Sequence, residues 1–237
     1  IDIGGGTSDF SLVRLSPARA KKIDRRDDIL ANGGVHIGGT DFDKYLSLSS
    51  VMPLMGLGSK LISNADVPSS YYFNLATWHT INFAYTQKTW LQLKEVYRDA
   101  RERDKLSYLL NLIEDRAGHW LAMKVEEGKI ALSDNMTTEL DFTCLRPHRT
   151  LPLNRTEFNQ AIAHLMDKIE GTVNNLMQEA GVAADDVHTV FFTGGSSGVH
   201  LLREKIAALV PRAQCVEGDL FGSIGAGLAL KNLGVQP

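Results

Sequence analysis

The first nine residues, I-D-I-G-G-G-T-S-D (Ile1–Asp9), join an apolar strand to three consecutive glycines. Because glycine has no Cβ atom, the backbone of Gly4–Gly6 can close on phosphate oxygens. Asp2 at the strand end can face a metal or an attacking water, Thr7 offers a hydroxyl to a phosphate, and Asp9 supplies a second acid. The stretch predicts a phosphate site of nucleotide chemistry. An ordinary glycine-rich hairpin turn is the alternative interpretation.

Composition narrows the classes of partner. The 237 residues are 43% hydrophobic and 22% charged, with a net charge of -3, so no basic field attracts nucleic acid. No apolar run approaches the roughly 18 residues of a membrane helix, and we expect no membrane partner. Cys144 and Cys215 lie far apart without metal-ligand spacing. We therefore expect no disulfide framework, two small core residues and a cytoplasmic protein.

The next segment predicts a β-meander and a second glycine loop. Alternation from Phe10 to Leu15 predicts a strand, and residues 21–31 can return as another. The loop G-G-V-H-I-G-G-T-D-F-D spans residues 33–43, and Thr40 or Asp41 can cap a helix toward Leu48. Gly38 and Gly39 before that helix predict a second anion site. A left-handed turn before a capped helix explains the same glycines equally well.

Helical periodicity dominates residues 70–130, where apolar residues from Tyr108 to Leu121 predict one buried helix stripe and the aromatic residues are mostly assigned to the core. Residues 137–153 predict a hairpin, with Pro147 in its turn. A helix from Asn154 to Gly181 and a strand at 187–192 follow. The sequence then predicts a third strand-to-glycine junction (Gly194, Gly195, Ser196), a helix at 199–209, a strand at 214–216 and a last helix starting at Asp219. The alternation predicts an α/β core with an inserted, mainly helical lobe.

The order of motifs resembles the DnaK-like heat-shock chaperone ATPase family of the actin, hexokinase and chaperone superfamily. The motifs are D-I-G-G-G-T-S-D, G-G-T-D-F-D, E-x-x-K-x-x-x-S, L-N-R-T-E-F, F-T-G-G-S-S and D-x-x-x-x-x-G-A. The inserted lobe is most similar to YegD-like chaperones. The resemblance implies the C-terminal half of the nucleotide-binding domain, with a ribonuclease-H-like (actin-like ATPase) core at 1–40 and 134–237. The lobe at 41–133 would close over the nucleotide.

The resemblance also implies roles for individual residues. Asp2 and Thr7 would act in catalysis, and Asp2 and Asp9 would hold Mg²⁺. Glu126, Lys129 and Ser133, which share one helix face at spacings of three and four, would bind the ribose and adenine, whereas the residues alone favour a solvated face. The set implied to bind ATP or ADP is Gly4, Gly5, Gly6, Thr7, Gly38, Gly39, Glu126, Lys129, Ser133, Gly194, Gly195, Ser196 and Asp219.

Three departures from the family pattern bear on base selectivity. Thr40 replaces a usual Glu, and Ile130 and Gly198 replace two arginines that flank the adenine in the family. Losing both guanidinium planes removes contacts worth on the order of 1 kcal/mol each, so we expect weakened base contacts. The family's first phosphate loop and catalytic lysine have no counterpart in this sequence.

The resemblance implies a parent protein that binds an adenine nucleotide, hydrolyses ATP slowly and acts on unfolded polypeptide with a co-chaperone. Because the chain begins inside the first motif, we expect a piece of a longer protein with negligible hydrolysis of its own. Two alternatives stay open. One is a phosphatase or sugar-type kinase of the same superfamily, and the other is a non-catalytic interaction or filament module that keeps the fold.

Overall fold

The structure is a computed structural model that describes residues 1–20, 25–143 and 145–218. It divides into two compact units, which are described separately. The first unit combines Ile1–Gly39 with Ala163–Pro237, and the second is Thr40–Ile162. Strands and helices are mixed in both, so the expected α/β class is confirmed.

The first unit is built on two small sheets that one strand connects. Strands β1 (Asp2–Ile3), β2 (Ser8–Val13) and β3 (Ile29–Val35) form an antiparallel sheet in that order. Strands β6 (Thr189–Phe192) and β7 (Gln214–Glu217) pair in parallel. The Ile3 N–H donates to the Thr193 carbonyl at 3.0 Å, and the Thr193 N–H donates to the Ile1 carbonyl at 2.9 Å. The strands therefore follow the order β3-β2-β1-β6-β7, with β1 parallel to the end of β6.

The described part of the first unit also contains α-helices. These are α1 (Pro17–Ala20), the long α7 (Arg155–Glu179), whose first turns belong to the second unit, and α8 (His200–Leu209). The Asn154 side-chain oxygen accepts from the Thr156 N–H at 2.7 Å and caps α7, and Gly181 follows it with φ +64°. The prediction of this helix, with its start and its stop, is confirmed.

The second unit is mainly helical. Its first helix is α2 (Gly39–Leu46), whose first residue, Gly39, still belongs to the first unit. A π-helical turn at Ser47–Val51 and a 3-10 turn at Met52–Met55 follow α2 directly. The other elements are α3 (Ser70–Ala76), a 3-10 segment (Trp78–Tyr85), α4 (Gln87–Asp99), α5 (Arg103–Glu114), α6 (Gly118–Asp134), and a hairpin of β4 (Thr137–Phe142) and β5 (Arg149–Asn154). Pro147 lies between these two strands, as predicted, after a cis peptide bond.

The hairpin packs on α6. A Cβ atom on Gly128 would lie 2.8 Å from Leu153 Cδ1 and 3.0 Å from Leu140 Cδ2, so α6 meets both strands at close range. Buried Arg155 donates to the carbonyls of Leu132 and Ser133 at 2.7 and 3.0 Å. It thereby supplies hydrogen-bond donors to carbonyls in the last turn of α6, which lack partners within the helix. These contacts group residues 134–162 with the helices, which differs from the predicted return to the core at residue 134.

The predicted return strand at 21–31 is wrong in its bounds over the described residues from 25 onward, because β3 spans Ile29–Val35. Residues 21–24 lie outside the described residues. The Asp28 carboxylate is buried and accepts from Arg19 at 2.5 Å and from Arg25 at 3.0 Å, which holds a 3-10 turn at Arg26–Asp28. The strand begins only after that turn, and pairing with β2 extends it through Gly33 and Gly34. The second glycine loop is shorter than the predicted 33–43.

Other local predictions also need correction. The apolar stripe from Tyr108 to Leu121 lies on two helices, because Arg116 adopts φ +52° and ends α5 before α6 begins. Trp78 is 51% exposed and is not a core residue, and Cys215 is exposed on β7. Asp219 and Cys144 lie outside the described residues. Within the described ranges, no helix combines the length and apolar character needed to cross a membrane.

Candidate functional site

The first two glycine loops contact each other in the first unit. The Gly4 N–H donates to the Thr7 carbonyl at 2.9 Å and closes the turn between β1 and β2. The Gly39 N–H donates to the Gly4 carbonyl at 2.9 Å. A Cβ atom on Gly38 would lie 2.6 Å from the Gly6 nitrogen, so only glycine permits this approach. The structure thus brings together two loops that the sequence predicted separately.

Ser8 holds the two loops together, and sequence reasoning missed it. Its side chain is 0% exposed, and its hydroxyl donates to the Ile37 carbonyl at 2.7 Å. Ser8 and Phe10 both point into the core, so the signal was a polar residue at an inward position of an alternating strand. A buried hydroxyl needs a partner, and the backbone of the second loop supplies it.

The two predicted metal ligands face each other. Asp2 and Asp9 are partners in the β1–β2 ladder, so their side chains lie on the same face of the sheet. The Thr7 hydroxyl donates to Asp9 Oδ2 at 3.2 Å and orients the carboxylate. In this structure the hydroxyl hydrogen is therefore used by Asp9 and not offered to a phosphate. Glycines make room for both acids. A Cβ atom on Gly194 would lie 2.4 Å from Asp2 Oδ1, and one on Gly34 would lie 3.0 Å from Asp9 Oδ1.

This donor set fits a hydrated magnesium ion. Mg²⁺ is typically held by one or two carboxylates together with waters and substrate phosphates. Asp2 and Asp9 provide two carboxylates beside the glycine loops. Among residues 1–20, 25–143 and 145–218, there is no group of three or more acidic, His or Cys side chains that forms an all-protein metal cage. The arrangement suits a cation that completes its shell with water and phosphate oxygens.

The third junction follows β6 and lies beside the first loop. Gly194 has φ +83°, a conformation that suits glycine, and its Cα lies against the Asp2 carboxylate. Gly195 is exposed, whereas Ser196 is buried and its N–H donates to the Ile3 carbonyl at 3.2 Å. The amide of Ser196 therefore supports the fold, and Gly195 is the residue of this junction that faces solvent.

In the second unit, the three residues predicted to bind a nucleoside lie on α6 in different environments. Glu126 is exposed and Ser133 is half-buried, with its hydroxyl donating to the Lys129 carbonyl at 3.4 Å. The Lys129 side chain is only 6% exposed. Its ammonium donates to Asp43 Oδ2 at 3.0 Å and lies 2.9 Å from Asp43 Oδ1. The carboxylate of α2 and the ammonium of α6 form a buried ion pair.

Asp43 is the second residue that sequence reasoning missed. Burial raises the pKa of its carboxyl to about 6, the Lys129 ammonium opposes that rise, and the Glu126 charge adds to it. A cavity of about 20 Å³ adjoins Asp43, lined by Ser47 and apolar residues of α3 and α6 (Leu75, Ala76, Leu121, Ala122 and Val125). The last acid of the G-G-T-D-F-D motif was the available signal.

Known chaperones resemble the chain along most of its length. It is 26% identical over 232 residues to a chaperone protein HscA homolog of Shewanella baltica, covering 96% of this chain and 27% of that protein. It is 22% identical over 236 residues to the chaperone protein DnaK of Mycoplasmopsis synoviae, covering 96% and 30%. A dnaK chaperone of Cyanophora paradoxa is 27% identical over 236 residues, covering 95% and 29%. The chain thus spans less than a third of the length of these curated relatives.

The family comparison covers the part of the chain that follows the glycine loops of β1 and α2. Residues 97–230, more than half of the 237, match the family described as Hsp70 protein. The match includes α5, α6, the hairpin, α7 and the junction after β6. The chain belongs to the Hsp70 protein family.

Proposed function

We propose that this chain binds the phosphates of an adenine nucleotide, ATP or ADP with Mg²⁺, as part of a DnaK-like chaperone. The observation that carries the proposal is the convergence of three glycine junctions beside two paired carboxylates. Gly38 touches the backbone of Gly5 and Gly6, and Gly194 adjoins Asp2. A Cβ atom on Gly5 or Gly6 would meet no atom within 4 Å, so this loop leaves open space where a phosphate fits.

In this proposal, the exposed backbone around Gly5 and Gly6 binds phosphate oxygens, and Gly195 lines the approach. Asp2 and Asp9 hold the hydrated cation, and Thr7 orients Asp9 through its hydroxyl. The chemistry that magnesium supplies when bound is neutralisation of negative charge on the phosphate oxygens. Asp2 is also the candidate to orient an attacking water, and Thr7 the candidate to assist it.

The second unit is proposed to contact the ribose and adenine through Glu126, Lys129 and Ser133. Ile130 is 56% exposed on the same helix and offers an apolar surface rather than a guanidinium plane. We therefore propose that the base is bound by dispersion contact and with lower selectivity than an arginine pair provides. Asp219 stays in the proposal on the resemblance alone.

The proposed fold is the ribonuclease-H-like core of the actin-like ATPases with an inserted helical lobe. The strand order β3-β2-β1-β6-β7, with three antiparallel strands followed by parallel ones, supports it. Membership in the Hsp70 family favours a chaperone ATPase over a phosphatase or a sugar-type kinase. ATP hydrolysis and action on unfolded polypeptide with a co-chaperone are proposed for the whole protein, whose relatives are named chaperones.

Calorimetric titration tests the phosphate site directly. Mg-ADP, Mg-ATP and pyrophosphate are titrated into the chain, with and without magnesium, beside the variants Asp2→Ala and Asp27→Asn. Asp27 is an exposed acid of the same unit and serves as the control. We expect saturable, magnesium-dependent binding that Asp2→Ala weakens and Asp27→Asn leaves unchanged. Equal affinity in all three proteins would refute the site, as would the absence of binding to the unmodified chain.

A further inference from the structure

A contribution to stability is a poor explanation for the ion pair of Asp43 and Lys129. The Lys129 side chain is 6% exposed and the Asp43 side chain 19%, so both charges have lost most of their hydration. The attraction in a buried pair often fails to repay that loss, and apolar replacements are commonly as stable. The pKa of Asp43 stays raised despite the adjacent ammonium, because burial outweighs the attraction. Such a pair calls for a reason other than stability.

Lys129, the cationic member of the pair, lies on α6, the helix that carries the proposed nucleoside ligands. Lys129 is three residues after Glu126 and four before Ser133, on adjoining parts of one helix surface. A lysine side chain has a flexible four-carbon stem and three donors on its ammonium. A hydrogen bond of 3.0 Å to Asp43 Oδ2 uses one of those donors and restricts the stem. Asp43 therefore restricts the position of the ammonium.

We propose that Asp43 is a positioning residue that holds the Lys129 ammonium for a nucleoside, and that it acts on the ligand only through Lys129. The inference rests on the proposed function, since it needs a nucleotide that Lys129 contacts. It separates two ligand classes. The nucleoside part of ADP depends on Asp43, whereas pyrophosphate, which needs the glycine loops alone, does not.

The environment of Asp43 defines a pH signature for this role. On α6 the charged groups that face it are Lys129 and Glu126, and Ser47 is the polar neighbour that follows on its own chain segment. The residues of α3 that adjoin it, Leu75 and Ala76, are apolar. Protonation of Asp43 removes the negative charge that lies 2.9 Å from the Lys129 ammonium. In this proposal, Asp43 then no longer holds the ammonium in place.

A double-mutant cycle tests the proposal. The dissociation constants of Mg-ADP and Mg-pyrophosphate are measured for the unmodified chain, Asp43→Asn, Lys129→Met and the double variant. We expect each single variant to weaken ADP binding by about tenfold, the effect of one lost charge-assisted hydrogen bond, and the double variant to be no weaker than Lys129→Met. Pyrophosphate affinity stays unchanged. The control is Asp66→Asn, because Asp66 forms an exposed pair with Lys60 at 2.6 Å.

A second measurement needs no substitution. The ratio of ADP to pyrophosphate affinity in the unmodified chain is followed from pH 7 to pH 5, a ratio in which the titration of the phosphates largely cancels. We expect the ratio to fall below about pH 6 and to be flat in Asp43→Asn. Failure of the unmodified chain to bind ADP refutes the proposed function and this inference with it. Binding with a full additional loss from Asp43→Asn in the Lys129→Met background refutes the inference alone.

Discussion

The contact between the first two glycine loops gives a prediction that separates folding from binding. Gly38 and Gly6 both belong to the proposed phosphate site, but their surroundings differ. A Cβ atom on Gly38 would lie 2.6 Å from the Gly6 nitrogen and 2.7 Å from the carbonyl carbon and oxygen of Gly5, which are all backbone atoms. A Cβ atom on Gly6 would meet nothing within 4 Å. The same added methyl group therefore has different consequences at the two positions.

The magnitude follows from the geometry. Contacts under 3.0 Å are essentially never seen for Cβ atoms, so Gly38→Ala must push the first loop away by several tenths of an ångström. Overpacking of this kind destabilises a protein by about 1–3 kcal/mol. Gly6→Ala is expected to change the free energy of unfolding by no more than about 0.5 kcal/mol, as for surface substitutions generally. Its methyl group instead occupies the space proposed for a phosphate.

Two assays read the outcomes. Urea denaturation measures the free energy of unfolding, and calorimetry measures the affinity for Mg-pyrophosphate. We expect Gly38→Ala to lose stability and affinity, and Gly6→Ala to lose affinity alone, by about tenfold or more for each phosphate hydrogen bond lost. An unfolding free energy of Gly38→Ala equal to that of the unmodified chain would show that the loops do not touch. Unchanged affinity in Gly6→Ala would show that phosphate does not bind there.

Three further predictions concern single side chains. Ser8→Ala removes the buried hydrogen bond between the loops and should lower the free energy of unfolding by about 1–2 kcal/mol. Ser11 is exposed on the same strand, so Ser11→Ala should change that free energy little. Equal urea midpoints for the two variants would contradict a stabilising role of the Ser8 hydrogen bond. Gly171→Ala, on an exposed turn of α7 with open space around it, should raise the melting temperature through a gain of up to about 1 kcal/mol in helix propensity; a lowered melting temperature would count against the helix there. Asp43 has a folded-state pKa of about 6 against an ordinary value of 3.8, so the folded state binds the proton more tightly. The stability of the unmodified chain relative to Asp43→Asn should therefore fall by up to about 3 kcal/mol as pH rises from 4 to 7. Denaturation at several pH values measures this difference, and a constant difference would contradict the assignment.

Local patterns in the sequence predicted the elements whose signals are short-range. Asn154 and Gly181 mark the start and the end of α7. Both could be predicted because an N-cap and a C-terminal glycine in the left-handed conformation depend only on neighbouring residues. The glycine runs at Gly4 and Gly194 marked strand ends for the same reason. Errors arose where a distant partner decided the outcome. Asp28 and its two arginines hold the turn before β3, so that strand starts only at Ile29. Pairing with β2 makes Gly33 and Gly34 strand residues rather than loop residues.

The sequence by itself determined the α/β class, the family and the residue types of the proposed phosphate site, because motif order and periodicity can be read along the chain without a structure. Only the tertiary structure showed that the Gly4 and Gly38 loops are in contact. It also showed that Asp2 faces Asp9 and that the missing side chain of Gly34 leaves room for the Asp9 carboxylate. The same is true of the buried pair of Asp43 and Lys129, whose members are 86 residues apart along the chain. The physical reason is that strand register and helix packing set these distances. Both depend on long-range burial, which no local pattern encodes.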